Sequence, residues 1–99
     1  AVGGSGVISV LANILPAEVR TLCDAITDFD MAAACTQHLK LFPLCKAMFV
    51  ETNPIPIKAS LAMAGMIRNE LRLPLTPLSQ KCRPELARLL KEFGVEIQE

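Results

Sequence analysis

The feature that most constrains this chain is the apolar run VISVL at residues 7–11, which directly follows the glycine-rich start GGSG. A run rich in β-branched residues and led by glycines predicts a strand buried on both faces. It is the only strand pattern in the sequence. An isolated strand leaves its backbone donors and acceptors unpaired, and even a two-stranded unit is marginal in water. We therefore expect this sequence to be a piece of a larger sheet protein.

The composition fits that expectation. Hydrophobic residues make up 52% of the 99 residues, which is high for a soluble domain and typical of a piece whose apolar faces meet absent partners. The sequence does not begin with Met, so we also expect a truncated or processed amino terminus.

Charge and apolar patterning exclude several function classes. Ten basic residues balance ten acidic ones, and Trp and Tyr are absent, so we expect no nucleic-acid partner. Every apolar stretch is shorter than the roughly 18 residues of a membrane span, so we expect no membrane partner. The cysteine spacing does not match a zinc site, and the four thiols are predicted to be buried and reduced, as in a cytoplasmic protein.

Periodicity predicts four helices after the strand. The first runs from Pro16 to about Thr27, with proline as its first residue and one buried stripe. The second is a long helix over residues 29–50, capped by Asp28 or Asp30 and bent at Pro43. Its apolar stripe contains Met31, Cys35, Leu39, Phe42, Cys45 and Phe49.

The carboxyl-terminal half is divided by prolines. Residues 51–56 form a rigid loop, and a third helix begins near Pro56, with Ile57, Leu61, Ala64 and Ile67 on its buried edge. The proline-bearing stretch 71–78 is predicted to be an extended arm on the surface. A last helix opens near Ser79, buries Leu86, Leu89, Leu90 and Phe93, and stops at Gly94.

No residue pattern by itself identifies a catalytic site. Gly4 and Gly6 lack the third glycine of a dinucleotide-binding loop and precede the strand, so a tight turn is favoured. Lys58 is interpreted as a solvated lysine and His38 as a surface or half-buried histidine. The best candidate for a functional position is the carboxyl end of the strand, because the active sites of parallel α/β folds lie at the carboxyl ends of strands. Composition alone favours a purely structural role for the strand in the core.

Three runs carry a family resemblance: GVISVLAN at 6–13, FVETNPIPIK at 49–58 and LRLPLTPLS at 71–79. In this order and spacing they resemble the carboxyl-terminal third of the dihydrodipicolinate synthase family. The resemblance implies a (β/α)8 TIM barrel of class α/β, followed by a helical extension. Residues 1–28 would be the last β/α unit and residues 29–99 the extension, so that the chain itself is mostly α-helical.

The resemblance also implies a chemistry. Family members are lyases of lysine and diaminopimelate biosynthesis that condense pyruvate with aspartate semialdehyde through a lysine Schiff base. The resemblance suggests a homotetramer, and we expect no cofactor. The reactive lysine, the proton-relay tyrosines and the carboxylate-binding threonine lie upstream in the family, so no catalytic or metal-binding residue is assigned here.

Ile8 is the one position assigned to substrate binding, because it matches a family isoleucine whose backbone lines the pyruvate site. Leu11 departs from the family, which usually has Thr there. Two alternatives stay open. One is another pyruvate-dependent Schiff-base aldolase, such as an N-acetylneuraminate or keto-deoxy-sugar lyase, and the other is a non-catalytic helical module that docks its apolar run on a partner's sheet.

Overall fold

The computed structural model describes residues 2–98, and its regular structure is helical. A short 3-10 helix at Leu11–Asn13 precedes four α-helices, which we call α1 to α4. They comprise Pro16–Thr27, Met31–Ala47, Ile55–Met63 and Arg83–Glu92.

Helix ends follow the local chemistry of the sequence. Pro16 begins α1, and Pro56 and Pro84 lie in the first turns of α3 and α4, where a missing N–H removes no helical bond. Asp30, one of the two expected caps, accepts a hydrogen bond from the Ala33 amide at 3.1 Å. Gly94 follows α4 with a φ of 78°, a conformation that favours glycine.

The core lies where α2, α3 and α4 meet beneath the 3-10 helix. Its fully buried apolar side chains come from every one of these elements and from the residue after α2: Leu11, Leu41, Leu44, Met48, Ala59, Leu86 and Leu90. Helix α1 packs on α2 and contributes only partly buried side chains, so it lies at the margin of this core. The expected burial of Leu86, Leu89 and Leu90 is confirmed.

The predicted strand is absent from residues 2–98. Residues 2–9 have no regular structure, and the run ends in the 3-10 helix instead. Val7 and Ile8 are exposed rather than buried on two faces. The physical reason is that the described residues contain no second strand to pair with this backbone.

Two further expectations need correction. Helix α4 begins at Arg83 rather than near Ser79, because an earlier start would place Pro84 inside the helix, where its ring crowds the preceding turn. The third helix ends at Met63, so Ile67 lies beyond it and is exposed.

The proline-bearing arm lies largely on the surface, as expected. Leu73 is 90% exposed, whereas Leu78 at the end of the arm enters the core. The Ser79 amide then donates to the Glu51 carboxylate at 3.1 Å, which ties the arm to the loop that precedes α3.

Candidate functional site

The segment around Ile8 is anchored at one end only. Leu11 and Ile14 are buried in the core, and Ser9 accepts a hydrogen bond from the Ala12 amide at 3.2 Å. The Asn13 side chain donates to the Val10 carbonyl at 3.0 Å. Upstream of these contacts the Ile8 side chain is 104% exposed.

This segment can bind but cannot perform acid–base chemistry. Residues 1–15 contain no ionisable side chain, so the groups on offer are backbone amides and carbonyls with the polar tips of Ser5, Ser9 and Asn13. Groups of this kind orient a small ligand. A proton acceptor or a nucleophile has to come from elsewhere in the protein.

The other residues considered from sequence do not join this segment. His38 is exposed on α2, where its ring stacks at a tilt on Phe42 with centroids 5.6 Å apart. Lys58 is half-buried in the first turn of α3. Since the Ile8 side chain is fully exposed, it contacts neither of them.

A polar cluster joins α1 to α2. The Gln37 side-chain amide donates to both the Glu18 carbonyl at 3.0 Å and the Glu18 carboxylate at 2.7 Å. Lys40 lies 3.3 Å from the same carboxylate. The hydrogen bond from Gln37, followed by that from Lys40, lowers the pKa of Glu18 below its ordinary value. Because every group in this cluster already has a partner, we interpret it as structural.

Helix α4 carries a second charged cluster on its solvent side. Arg88 donates to Glu85 through Nε at 2.9 Å and through Nη2 at 2.6 Å, and it also pairs with Glu92. The contact with Arg88 lowers the pKa of Glu85. These residues are spaced three and four positions apart, and exposed pairs of this kind stabilise a helix only slightly.

Two grooves open beside α4. One, of about 560 Å³, is bordered by Arg83, Arg88 and Lys91 together with Met63 and Ile97. The other, of about 620 Å³, is largely apolar and lies between the end of α2 and α4. Neither groove is lined by Ile8, the residue that the sequence analysis assigns to substrate binding.

The described residues contain no cluster of three or more His, Cys, Asp or Glu side chains that could bind a metal. The four cysteines are free. The expectation that all are buried is wrong, because Cys35 is exposed and the other three are half-buried. Burial raises the pKa of the Cys45 thiol, which makes it a poorer nucleophile.

The stripe predicted on α2 shares one side of the helix but does not form the core. Met31, Leu39, Phe42 and Phe49 are all exposed, and the core is formed instead by Ala34, Leu41 and Leu44. The signal for this arrangement is present in the sequence, because α2 carries apolar residues on two different sides. Periodicity alone does not say which side packs inward.

None of the helices in residues 2–98 is both long enough and apolar enough to span a membrane. The described regular structure is thus a set of short helices around one core, and its best candidate site is a backbone segment without catalytic side chains. Among residues 2–98, the fold is that of a small helical unit.

Comparison with known proteins identifies the family. The family model described as the dihydrodipicolinate synthetase family matches residues 1–93, so the chain belongs to this family. It is 47% identical over 95 residues to the 4-hydroxy-tetrahydrodipicolinate synthase of Pelobacter propionicus. That alignment covers 96% of this chain and 33% of its relative. The chain therefore spans about a third of the length of the curated relatives it matches.

Solved structures of the same family superpose on most of this chain. The dihydrodipicolinate synthase of Aquifex aeolicus superposes with a TM-score of 0.93 at 40% identity, over 98% of this chain and 33% of that one. The chloride-inhibited enzyme of Acinetobacter baumannii, complexed with pyruvate, superposes with a TM-score of 0.89 at 40% identity, over 94% and 32%. A third relative, described as the first monomeric dihydrodipicolinate synthase variant, has a TM-score of 0.90 at 49% identity, over 94% and 31%.

Proposed function

We propose that this chain is the carboxyl-terminal third of a 4-hydroxy-tetrahydrodipicolinate synthase, a lyase that condenses pyruvate with aspartate semialdehyde in lysine and diaminopimelate biosynthesis. The observation that carries the proposal is the 47% identity to a named synthase across 96% of the chain. Residues 1–28 would complete the TIM barrel as its last strand and helix, and residues 29–99 would form the helical extension. A cytoplasmic location follows from the same proposal.

No catalytic residue is assigned to this chain, so its proposed role is to bind pyruvate while residues upstream carry out the chemistry. A lysine amine upstream of this sequence attacks the ketone carbon of pyruvate, and loss of water gives a protonated Schiff base. Removal of a methyl proton then gives an enamine, whose carbon attacks the aldehyde of the second substrate. Ile8 would present backbone to pyruvate once flanking strands hold residues 6–11 extended. A pyruvate complex of the Acinetobacter baumannii relative supports the choice of this substrate.

We further infer that the full-length enzyme is a homo-oligomer, a tetramer by family resemblance. The description of one relative as the first monomeric synthase variant supports this inference, since it singles out a monomer. The isolated polypeptide of 99 residues is expected to have no lyase activity.

The test uses the full-length gene product. Borohydride reduction in the presence of pyruvate should trap a covalent adduct on a lysine outside residues 1–99, and the enzyme should consume aspartate semialdehyde when pyruvate is present. An adduct on any lysine of this chain would overturn the assignment of Ile8 as its sole active-site contribution. Absence of an adduct would overturn the proposed chemistry altogether.

Two alternatives are separated by the same material. A related Schiff-base aldolase would form the pyruvate adduct but would use an amino-sugar or keto-deoxy-sugar aldehyde instead of aspartate semialdehyde. A helical interaction module would form no adduct, and the 99 residues would fold alone as a stable, cooperative monomer. The named relatives favour the synthase over both.

A further inference from the structure

Two of the three polar side chains in residues 1–15 are already hydrogen-bonded within their own segment. The Ser9 hydroxyl accepts a hydrogen bond from the Ala12 amide at 3.2 Å. The Asn13 side-chain amide donates to the Val10 carbonyl at 3.0 Å. Together the two side chains close a turn, which we call the 9–13 turn, so they shape the chain rather than offer their polar groups to a ligand.

Backbone hydrogen bonds make the 9–13 turn continuous with α1. The Asn13 amide donates to the Val10 carbonyl at 3.1 Å, so that this carbonyl accepts from both the backbone and the side chain of one residue. The Leu15 amide donates to the Leu11 carbonyl at 2.9 Å, directly before α1 begins. The turn is therefore a bonded element and not a loose connection.

The 9–13 turn is also fixed to the helical core. Leu11 and Ile14 are both buried, and they belong to the same apolar cluster as side chains of α2, α3 and α4. Because protein interiors are closely packed, a buried Leu11 leaves the turn little freedom to shift relative to these helices. The turn thus holds the residues just before it at a defined place above the core.

Ser9 joins the 9–13 turn to Ile8. The peptide group between these two residues is planar and carries the Ile8 carbonyl and the Ser9 amide. Its direction is set by the two soft dihedral angles that flank it, one of which belongs to Ser9. Since the Ala12 amide holds the Ser9 side chain, it restricts Ser9 and thereby orients the peptide group next to Ile8.

We propose that Ser9 is a positioning residue: through its bond to the Ala12 amide it holds the Ile8–Ser9 peptide group in the orientation that binds pyruvate. Asn13 supports this role because it closes the same turn. The inference rests on the proposed function, in which the backbone of Ile8 faces pyruvate. Val10 takes part in the hydrogen bonds of the turn only through its carbonyl, so its side chain is not part of the arrangement.

The experiment compares Ser9→Ala with Ser9→Thr in the full-length enzyme. Alanine removes the acceptor of the Ala12 bond, whereas threonine keeps a hydroxyl on Cβ. Ser9→Ala should raise KM for pyruvate about fivefold and leave kcat within about twofold of wild type, because misoriented groups bind the substrate less well. Ser9→Thr should bring KM back to within about twofold of wild type, since its hydroxyl can accept the same bond.

Thr21→Ala is the matched control. The Thr21 hydroxyl donates to the Ala17 carbonyl at 3.0 Å at an exposed position of α1, so this variant also loses one bond between a side chain and the backbone. It should leave KM for pyruvate at the wild-type value. Thermal unfolding reports whether each variant is folded.

Asn13→Ala tests the same turn even if Ser9→Ala does not fold. It should raise KM for pyruvate in the same direction, because it removes the other side-chain bond of the 9–13 turn. A wild-type KM in Asn13→Ala and in any folded Ser9→Ala enzyme would overturn the proposal, whatever the loss of thermal stability, since the two bonds would then be purely structural. An equal rise in KM for Ser9→Ala and Ser9→Thr would overturn it as well.

Borohydride trapping separates this inference from the proposed function. The yield of the wild-type adduct should saturate with pyruvate, and Ser9→Ala should need about fivefold more pyruvate for half-saturation. If wild type forms the adduct and Ser9→Ala half-saturates at the same concentration, the positioning role fails alone. If wild type forms no adduct, the proposed function fails and the positioning role fails with it, because there is then no pyruvate site for Ser9 to orient.

Discussion

The side-chain amide of Gln37 donates to the carboxylate of Glu18 at 2.7 Å, across a sequence separation of 19 residues. This contact joins the helix proposed to close the barrel to the first helix of the proposed extension. Gln37 is buried, and its side-chain amide donates to the carbonyl of Glu18 as well as to its carboxylate. The two helices are thus held by a charge-assisted hydrogen bond in addition to apolar packing.

Replacement of Gln37 by Leu should destabilise the protein. The change keeps most of the side-chain volume but leaves the Glu18 carboxylate without its best donor, and hydrogen bonds to charged groups contribute about 1.5–3 kcal/mol. Urea unfolding of the full-length enzyme should show a free energy lower by about that amount. Gln80→Leu, at an exposed position, is the control and should change it little.

The same pair predicts a pH dependence. Because the pKa of Glu18 is lowered in the folded protein, its contribution is fully present above the unfolded value of 4.5 and is lost as the pH falls through the folded value. Glu18→Gln should therefore be less stable than wild type at neutral pH, and the difference should shrink at acid pH. A difference that instead grows on acidification would contradict the assigned direction.

Burial should separate two leucine truncations of identical chemistry. Leu44 is 0% exposed at the centre of the core, whereas Leu73 on the arm is 90% exposed. Leu44→Ala should cost about 2–5 kcal/mol of the free energy of unfolding, since it removes buried methyl groups and leaves a cavity. Leu73→Ala should stay within about 0.5 kcal/mol of wild type. Comparable losses from both would mean that the arm is covered in the full-length enzyme.

The ends of α1 and the amino-terminal cap of α2 could be predicted from the sequence. The bounds of α1 at Pro16 and Thr27 were predictable because a proline fixes the first turn and the apolar spacing fixes the length. The cap at Asp30 was one of two predicted choices, and the structure selects it through its bond to Ala33. In each case the determining interaction lies within a few residues along the chain.

The wrong predictions, a strand at residues 6–11 and a buried stripe on α2, concern features that depend on contacts between residues far apart in the sequence. Residues 6–11 have the composition of a buried strand, but a strand needs partners, and residues 2–98 provide none. The stripe through Leu39 and Phe42 has the periodicity of a core face, but α2 has a second apolar side through Leu41 and Leu44 that packs instead. Local sequence specifies which residues share a side, whereas the other elements decide which side is covered.

The assignment of Ile8 to the pyruvate site stays a prediction, and substitutions by valine and glycine test it. If the backbone rather than the side chain binds substrate, Ile8→Val should leave kcat/KM for pyruvate within about 3-fold of wild type, because side-chain shape at this position contributes little to catalysis. Ile8→Gly should raise KM for pyruvate about tenfold, since added backbone freedom misplaces the binding groups. Val10→Gly loosens the same segment at a position without an assigned substrate contact, and it should lower stability without that rise in KM. An equal rise in KM for both glycine variants would show that Ile8 has no specific role.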